Sequence, residues 1–252
     1  MMKAFVFAAL LAVTLAFVPI DHQSFVETLT GKALVDYVNS VQSLFITEHV
    51  DVSEEFMKSR VMNVNTVLAT IPETFDARTK WPKCKSIKLI RNQANCRSCW
   101  AFGAAEVISD RICIATKGAR QPIISPMDMV DCCGKYCGYG CDGTSAYYVG
   151  MTVSAIQTEI MTNGPVVGVF TMYEDMYKYK SGVYRHTAGR LLGGHAIKII
   201  GWGTQNGIPY WLIANSWGTK WGENGFFKIR GGVNECGIEN NVVAGKVDVD
   251  TL

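Results

Sequence analysis

The chain has little of what marks nucleic-acid-binding or nucleotide-binding proteins. Its 252 residues carry a net charge of +2 and contain no basic run, no glycine-rich phosphate-binding motif, no internal repeat and no low-complexity segment. Nucleic acid is therefore not an expected partner, because binding it requires clustered positive charge. Asn-x-Ser/Thr sequons are also absent, so N-glycosylation is not expected.

Long hydrophobic runs are missing as well, apart from one at the N-terminus. Residues 4–20 are apolar and follow Lys3. This run is slightly short for a membrane span and suits the hydrophobic region of a signal peptide. We expect a signal peptide over residues 1–20, a short propeptide over residues 21–70, and no membrane attachment once the signal peptide is removed.

Cysteine, in contrast, is abundant, with nine residues in the chain. A cysteine-rich chain with a signal peptide belongs in an oxidising compartment, either outside the cell or in a lysosome-like organelle of the secretory pathway. The cluster of Cys132, Cys133, Cys137 and Cys141 could bind zinc, but the expected secretion favours disulfides instead. We therefore expect no metal and no other cofactor.

One cysteine stands where a turn is expected to become a helix. It is Cys99, within residues 93–102, QANCRSCWAF in one-letter code. Ser98 is a favourable N-cap, and the apolar, proline-free run over residues 100–114 predicts a helix with Cys99 in its first turn. The positive end of the helix dipole and its unpaired amides would lower the pKa of the thiol and favour the nucleophilic thiolate. Taken singly, however, a cysteine is more often a buried side chain or half of a disulfide.

A nucleophilic cysteine needs a general base and a group that orients it, and a predicted hairpin offers both. Two β-rich runs, residues 194–203 and 209–217, flank Asn206-Gly207, the strongest short hairpin signal. The midpoint between His195 and Asn215 falls at this connection. Folding there would bring the imidazole and the carboxamide to about the same level of the hairpin.

Four side chains would together form a nucleophilic site. An oxygen of Asn215 bound to one ring nitrogen would fix the tautomer of His195 and leave the other nitrogen for Cys99. Gln93 would then donate, together with the backbone amide of Cys99, to the oxyanion that forms when the thiolate attacks a carbonyl. The remaining histidines are interpreted as ordinary imidazoles with no role in this site: His22, His49 and His186.

From residue 71 onward the chain resembles the papain-like cysteine proteases, and specifically the cathepsin B branch. The motifs that carry the resemblance are residues 71–78, 93–102, 109–114, 140–143, 194–196, 215–218, 221–226 and 236–239. The resemblance implies an α+β fold with a truncated helical left lobe, an antiparallel β-barrel-like right lobe and the active site between them. It also implies a zymogen whose single peptidase domain covers residues 71–252.

The family's functional residues can be assigned one by one. The catalytic residues that the resemblance implies are the oxyanion glutamine Gln93, the nucleophile Cys99, the base His195 and its orienting partner Asn215. Trp217 is similar to the family's indole that shields the contact between Asn215 and His195. The substrate-binding residues that the resemblance implies are Gly143, Val169, Gly194, Ala196, Trp217 and Asn241.

Disulfides and partners follow from the same resemblance. The implied disulfides are Cys84–Cys113, Cys96–Cys141 and Cys133–Cys137, with Cys236 unpaired. Cys132 is left over, so we predict that it is a free thiol or a site of intermolecular or scrambled pairing. The implied partners are peptide or protein substrates, the chain's own propeptide as an inhibitor, and cystatin-like inhibitors, and the implied state is a monomer.

Within the propeptide, Leu34, Tyr37, Val38 and Val41 recur at helical spacing, which predicts an amphipathic helix. In the family the propeptide lies along the cleft and blocks it. Phe25, Leu34, Tyr37 and Val38 are the candidate contacts, and a weak helix with no inhibitory role is the alternative.

A segment is missing relative to the family. His195 follows Cys99 by 96 residues, whereas the papain-type spacing is about 130 to 150. Cathepsin B has an occluding loop with two histidines in this interval. No histidine lies between Cys99 and His186, so we expect this loop to be absent.

The deletion can be placed from the pattern on either side of it. The match to the left lobe runs up to Gly143, and residues 144–153 have a strand-like pattern that leads into a helix ended by Gly164-Pro165. Ser154 and Gln157 could begin this helix as a capping box. We therefore place the deletion near 143/144, at or just after Gly143.

Two side chains depart from the family in the substrate cleft. Arg97 replaces a glycine whose backbone lines the S1 pocket, and this cation would narrow or charge the pocket; a solvent-pointing side chain is the alternative. Asn241 stands where cathepsin B has an acidic residue at the base of S2. With Val169 and Ala196 as the remaining wall, we predict an apolar P2 preference.

Together these features predict a secreted or lysosomal cysteine endopeptidase of the cathepsin B type. Without an occluding loop it should not remove C-terminal dipeptides. The competing hypothesis is a catalytically inactive, shortened homologue that acts as a binding or decoy protein, or a mis-spliced product. The argument for this alternative is that the stability lost with the left-lobe helices could exceed the few kcal/mol of net stability that a domain has.

Overall fold

The computed structural model describes residues 31–41, 70–132, 141 and 152–247. The chain divides into two units, Met1–Val61 and Met62–Leu252. In the first unit, α1 (Gly31–Val41) confirms the helix predicted there, and Lys32 pairs with Asp36 one turn later. Other predicted features lie outside the described residues: the signal peptide over residues 1–20, Phe25, and the side chains of Leu34, Val38 and Val41.

The second unit combines short helices with one sheet. Its helices are α2 (Ala77–Lys80), α3 (Cys99–Ala115), α4 (Pro126–Cys132) and α5 (Val153–Asn163), with 3-10 turns at Lys85–Lys88, Glu174–Lys178 and Glu235–Gly237. Its strands are β1 (Phe75–Asp76), β2 (Val166–Tyr173), β3 (Val183–Tyr184), β4 (Leu191–Gln205), β5 (Ile208–Ala214), β6 (Phe226–Arg230) and β7 (Val242–Val243). This content confirms the predicted α+β class.

The sheet is open along the part of the chain that the structure describes. Its strand order is β3-β6-β5-β4-β2-β7, and β1 pairs with β4 beside this path. All pairs are antiparallel except β3 with β6. The predicted right lobe is therefore an open sheet in which β4 pairs with β5, β2 and β1, and not a closed barrel.

The predicted hairpin between β4 and β5 is present. Gln205 pairs with Ile208, so Asn206 and Gly207 form a two-residue turn. Both have positive φ, 52° and 76°, which is the conformation of a type I′ turn. Between Ile199 and Gly201 the pairing of β4 with β5 shifts by one residue, so the pairs far from the turn are offset from the pairs near it.

Helix α3 connects the nucleophile segment to the sheet. Residues on nearly all of its sides are buried, including Phe102, Ala105 and Ile112, because it packs on β4 and β2. A large apolar core on the sheet contains Phe170, Trp211, Ile199, Ile213 and Phe227. Strand β4 is buried on both faces. This explains why its residues from Ala196 to Trp202 are apolar, apart from Lys198 and one glycine.

Helix α5 begins earlier than predicted, because its N-cap is Thr152 and not Ser154. Thr152 is its N-cap, and the Thr152 hydroxyl accepts a hydrogen bond from the Ala155 backbone N–H at 3.3 Å. Ser154 lies inside the helix, so the capping box predicted with Gln157 was wrong. The predicted end is confirmed, because Gly164 follows the last turn with φ 106°. The strand predicted over residues 144–153 lies almost entirely outside the described residues.

The cysteines follow the implied pattern where the structure describes them. Cys84–Cys113 and Cys96–Cys141 are disulfides, whereas Cys99, Cys132 and Cys236 are free. Cys132, predicted to be a free thiol or a site of intermolecular or scrambled pairing, is free and exposed. Cys133 and Cys137, and with them the third disulfide and the zinc alternative, lie outside the described residues.

Among the helices that the structure describes, none combines the length and the apolar character needed to cross a membrane.

Candidate active site

Cys99 is the first residue of α3, at the predicted place. The Ser98 carbonyl accepts hydrogen bonds from the backbone N–H groups of Ala101 and Phe102, at 2.9 and 3.0 Å. The Ser98 hydroxyl makes no capping bond, so Ser98 occupies the N-cap position without the side-chain cap that was predicted. Cys99 remains partly accessible, with its sulfur at the surface of a cleft.

The hairpin brings His195 and Asn215 into contact, as predicted. His195 Nε2 lies 2.8 Å from Asn215 Oδ1, and this oxygen also accepts the backbone N–H of Ser216 at 2.8 Å. Because a carboxamide oxygen only accepts, Nε2 of His195 carries the proton. The other ring nitrogen, Nδ1, is then an acceptor, which is the state that a general base requires.

Aromatic rings surround this contact and exclude water. The Trp217 ring stacks on the His195 imidazole with 4.8 Å between centroids, and Tyr177 stacks on the outer face of Trp217 at 5.2 Å. Phe170 meets the imidazole edge-on at 5.8 Å. His195 is 3% exposed and Asn215 is fully buried. The shielding role implied for Trp217 therefore fits its position.

The carboxamide of Gln93 is held by two hydrogen bonds, and a third holds its backbone. Gln93 Oε1 accepts the Ser216 hydroxyl at 2.7 Å, and Gln93 Nε2 donates to the Cys96 carbonyl at 2.8 Å. The Gln93 backbone N–H donates to the Ser216 carbonyl at 2.8 Å. An NH₂ group has two donors, so one remains for a ligand in the cleft. Gln93 also lines the cleft that Cys99 lines.

Burial dominates the protonation of both reactive groups. Burial raises the pKa of the Cys99 thiol, although the backbone N–H groups of Ala196, Trp100 and Cys99 itself oppose the shift. Burial lowers the pKa of His195 to about 4, although the bond to Asn215 opposes it. The predicted lowering of the thiol pKa was therefore wrong in direction, because loss of solvent outweighs the helix amides. Each shift favours the neutral form of its group.

The cleft has a volume of about 1160 Å³, and Cys99 and His195 both line it. The implied substrate residues Val169, Gly194, Ala196, Trp217 and Asn241 line it as well. Val169 and Ala196 are register partners on β2 and β4, and the Val169 N–H donates to the Asn241 carbonyl at 2.8 Å. The remaining implied residue, Gly143, lies outside the described residues.

Two residues of the site were not singled out from the sequence. Ser216 orients Gln93, and its only signal was its place directly after Asn215 in a motif of the family. Tyr177 extends the aromatic stack and carried no signal, because it lies in a 3-10 turn far from the motifs. His186 lies away from the cleft, paired with Asp175 at 3.1 Å, which agrees with its interpretation as an ordinary imidazole.

A comparison with known families decides what this arrangement is. The model of the papain family cysteine proteases matches residues 71–152 and 145–246. The chain belongs to the papain family of cysteine proteases. A gut-specific cysteine proteinase of Caenorhabditis elegans is 51% identical over 329 aligned positions, which cover 98% of this chain and 100% of that protein. Cathepsin B-like cysteine proteinase 3 of the same organism is 44% identical, over 87% of this chain and 83% of that one.

Solved structures agree with this membership. Procathepsin B S9 from Trypanosoma congolense superposes with a TM-score of 0.66 at 35% identity, covering 79% of this chain and 82% of that one. Digestive procathepsin L 3 of Tenebrio molitor, at 20% identity and a TM-score of 0.62, covers 74% and 73% of the two chains and supports the fold alone. The predicted cathepsin B-like relationship and the cysteine-type peptidase class are confirmed, and the inactive alternative is not favoured.

Proposed function

We propose that the protein is a secreted or lysosomal cysteine endopeptidase, made as a zymogen, that hydrolyses peptide bonds through Cys99 and His195. The observation that carries the proposal is the 2.8 Å contact between His195 Nε2 and Asn215 Oδ1, which directs the basic nitrogen Nδ1 away from Asn215. Cys99 and His195 both line the same cleft, which supports their proposed roles as nucleophile and base.

The first half of the reaction forms an acyl-enzyme. Cys99 gives its proton to His195 Nδ1, and the thiolate attacks the scissile carbonyl carbon. The carbonyl oxygen becomes an oxyanion that accepts hydrogen bonds from Gln93 Nε2 and the Cys99 backbone N–H. As the C–N bond breaks, the His195 imidazolium gives its proton to the leaving amine, and a thioester with Cys99 remains.

The second half hydrolyses the thioester. His195 takes a proton from water, and the resulting hydroxide attacks the same carbonyl carbon. The oxyanion forms again on the donors from Gln93 and Cys99. The C–S bond breaks, the acid product leaves, and the Cys99 sulfur and His195 return with one shared proton between them.

The neutral resting groups are compatible with this mechanism. A proton that moves from Cys99 to His195 leaves the net charge of the pair unchanged and creates opposite charges in contact. Burial, which penalises each charge alone, also strengthens their mutual attraction. The two groups therefore titrate as a pair rather than singly. Asn215 supports the charged state because its Oδ1 accepts a hydrogen bond from the Nε2–H of the imidazolium.

We infer that the chain lacks the family segment after Gly143. Three observations support this proposal. The alignment with the gut-specific proteinase is 329 positions long, although this chain has only 252 residues. The family model matches in two pieces that meet at residues 145–152. Cys132 is exposed and forms no disulfide, as expected if its partner has been lost.

The zymogen part of the proposal rests on the relatives. The two solved relatives named above are procathepsins. We propose that residues 1–20 are a signal peptide and that residues 21–70 are a propeptide that blocks the cleft until it is removed. The proposed partners are peptide or protein substrates, this propeptide and cystatin-like inhibitors, and the proposed state is a monomer.

The proposal is tested by labelling the processed protein with a small neutral electrophile between about pH 4 and pH 8, a range that spans activated and ordinary thiols. The adducts are located by mass spectrometry. We expect fast labelling confined to Cys99 that persists at acid pH, and loss of this phase in His195→Ala. Cys132→Ser is the matched control, because it removes an exposed thiol outside the site.

Slow labelling that rises only towards alkaline pH, or that is shared among Cys99, Cys132 and Cys236, would contradict the proposal. It would mean that the three thiols are ordinary and that the pair does not form. The chain would then be the inactive homologue, able to bind peptides or inhibitors without cleaving them.

A further inference from the structure

The cleft has an unusual charge. Arg97 is the one permanently charged residue among the described residues that line it, and no carboxylate is among them. Asn241, which also lines the cleft, is neutral. Along the described part of this lining, a substrate side chain therefore meets a positive charge and no carboxylate.

The guanidinium of Arg97 is free to bind a substrate. It is exposed, and the described part of the chain provides it with no ion pair and no side-chain hydrogen bond. Other arginines of the same unit are already committed to carboxylates: Arg78 to Asp76 at 2.7 Å and Arg111 to Glu159 at 2.8 Å.

The backbone of Arg97, in contrast, is fixed. Its N–H donates to the Cys141 carbonyl at 3.1 Å, and the preceding residue, Cys96, is in a disulfide with Cys141. The following residue, Ser98, is buried and begins α3. An anchored backbone with an unpaired charged end suits recognition, because little order is lost when a partner binds.

Arg97 is also close to the reacting bond. It precedes the nucleophile Cys99 by two residues, so their Cα atoms are at most about 7 Å apart. A side chain as long as arginine covers a similar distance. The P1 residue is the one whose carbonyl Cys99 attacks, so a P1 side chain bound next to Cys99 would lie within the length of this arginine side chain.

We propose that Arg97 makes the enzyme select substrates with an acidic side chain, aspartate or glutamate, at P1. This inference rests on the proposed peptidase function and adds its substrate class. A carboxylate at P1 can form a two-fold hydrogen-bonded pair with the planar guanidinium. A lysine or arginine at P1 would instead meet a like charge, which disfavours binding.

The test compares fluorogenic peptides that differ only in glutamate or glutamine at P1, two side chains of nearly the same shape. At pH 6, where the glutamate is ionised, we expect kcat/KM to be about fivefold higher for glutamate, the size of an exposed ion pair. In 1 M NaCl, where charges are screened beyond about 3 Å, the preference should largely disappear.

Variants assign the preference to one residue. Arg97→Gln should bring the ratio of glutamate to glutamine close to one, and Arg97→Glu should reverse it in favour of lysine. Arg120→Gln is the matched control: it removes the same charge from an exposed residue outside the cleft lining, and it should keep the wild-type ratio. A wild-type ratio of one, or a ratio unchanged in Arg97→Gln, would overturn the inference and would mean that the side chain points to solvent.

A binding measurement separates this inference from the function on which it rests. Peptides whose scissile amide is replaced by a non-cleavable methylene-amine link are titrated by fluorescence anisotropy. Tighter binding of the glutamate form that depends on Arg97, together with no turnover of the cleavable fluorogenic peptides, would uphold the recognition and contradict the peptidase. Turnover with equal binding of both forms would uphold the peptidase and contradict the recognition.

Discussion

Lys198 Nζ lies 2.9 Å from Asp110 Oδ2, and both side chains are fully buried. Asp110 belongs to α3, which begins at Cys99, and Lys198 belongs to β4, which carries His195. Glu106, one turn before Asp110, lies 3.7 Å from the same ammonium group. This ion cluster therefore joins the two elements that position the nucleophile and the base.

Removal of the cation should destabilise the fold. We expect Lys198→Met to lower the free energy of unfolding by about 3 to 5 kcal/mol, because it leaves Asp110 buried without its ion-pair partner. Methionine fills a similar volume, so a cavity would not explain the loss. Denaturant titration measures the effect. Lys220→Met, at an exposed position, is the control and should change stability by no more than about 0.5 kcal/mol. Equal effects of the two variants would show that the cluster contributes no more than a surface charge.

Glu106 should make the stability depend on pH. Burial raises the pKa of Glu106 from 4.5 to about 7, although Lys198 and Arg91 oppose the shift. Between these two values the folded chain binds more protons than the unfolded chain. The free energy of unfolding should therefore fall as the pH rises from about 4.5 to about 7, by on the order of 3 kcal/mol from this group.

The measurement is a series of denaturant titrations over this pH range. Glu106→Gln stays neutral at every pH, so the stability of this variant should decline less than that of the wild type. Glu73→Gln, which changes an exposed carboxyl group, should keep the wild-type decline. A decline of the same size in Glu106→Gln and the wild type would exclude Glu106 as its source.

Features encoded by neighbouring residues could be predicted from the sequence. The turn at Asn206-Gly207 was predicted because few residues other than asparagine and glycine accept positive φ at two successive positions. This turn closes the hairpin of β4 and β5, and the hairpin brings His195 into contact with Asn215. The end of α5 at Gly164 was predictable for the same local reason.

Features that depend on distant contacts could not be predicted. The direction of the Cys99 pKa shift was missed because Cys99 packs against a cluster that includes Val167 of β2 and Ala196 of β4, both far along the chain. The true cap of α5 was missed because Thr152 and Ser154 are both good capping residues, and the choice depends on where the preceding chain turns. The sheet is open because of how its strands pair, and several of these pairs join strands that are far apart in the sequence.

Ser216 should contribute to catalysis through Gln93. We expect Gln93→Ala to reduce kcat by about 10² to 10³, the usual cost of one oxyanion donor. Ser216→Ala should reduce kcat by about tenfold, because the Gln93 carboxamide loses one hydrogen bond but keeps its NH₂ group. Ser181→Ala, at an exposed position, is the control. If Ser216→Ala lowered kcat further in the Gln93→Ala background, Ser216 would act by another route.

The enzyme should cleave within chains and not remove C-terminal dipeptides. No histidine is present between Cys99 and His186 to bind the terminal carboxylate of a substrate. We expect a peptide with an amidated C-terminus to be cut as fast as the same peptide with a free carboxylate. Mass spectrometry of the products over time measures this. Appreciable stepwise loss of dipeptides from the free carboxylate form alone would contradict the absence of an occluding loop.

The S2 pocket should prefer apolar side chains, and one substitution should change that preference. Asn241 lines the cleft beside Val169 and Ala196, and its Nδ2 donates to the Gly237 carbonyl at 3.1 Å, so the pocket base is neutral. For peptides that differ only at P2, we expect a higher kcat/KM with phenylalanine or leucine than with arginine.

Asn241→Glu places a carboxylate at the pocket base and should raise the arginine-to-phenylalanine ratio by about fivefold. Asn240→Glu adds the same charge at the neighbouring exposed position and should leave the ratio unchanged, because this residue does not line the cleft. A wild-type preference for arginine at P2, or equal shifts in both variants, would mean that Asn241 does not form the base of this pocket.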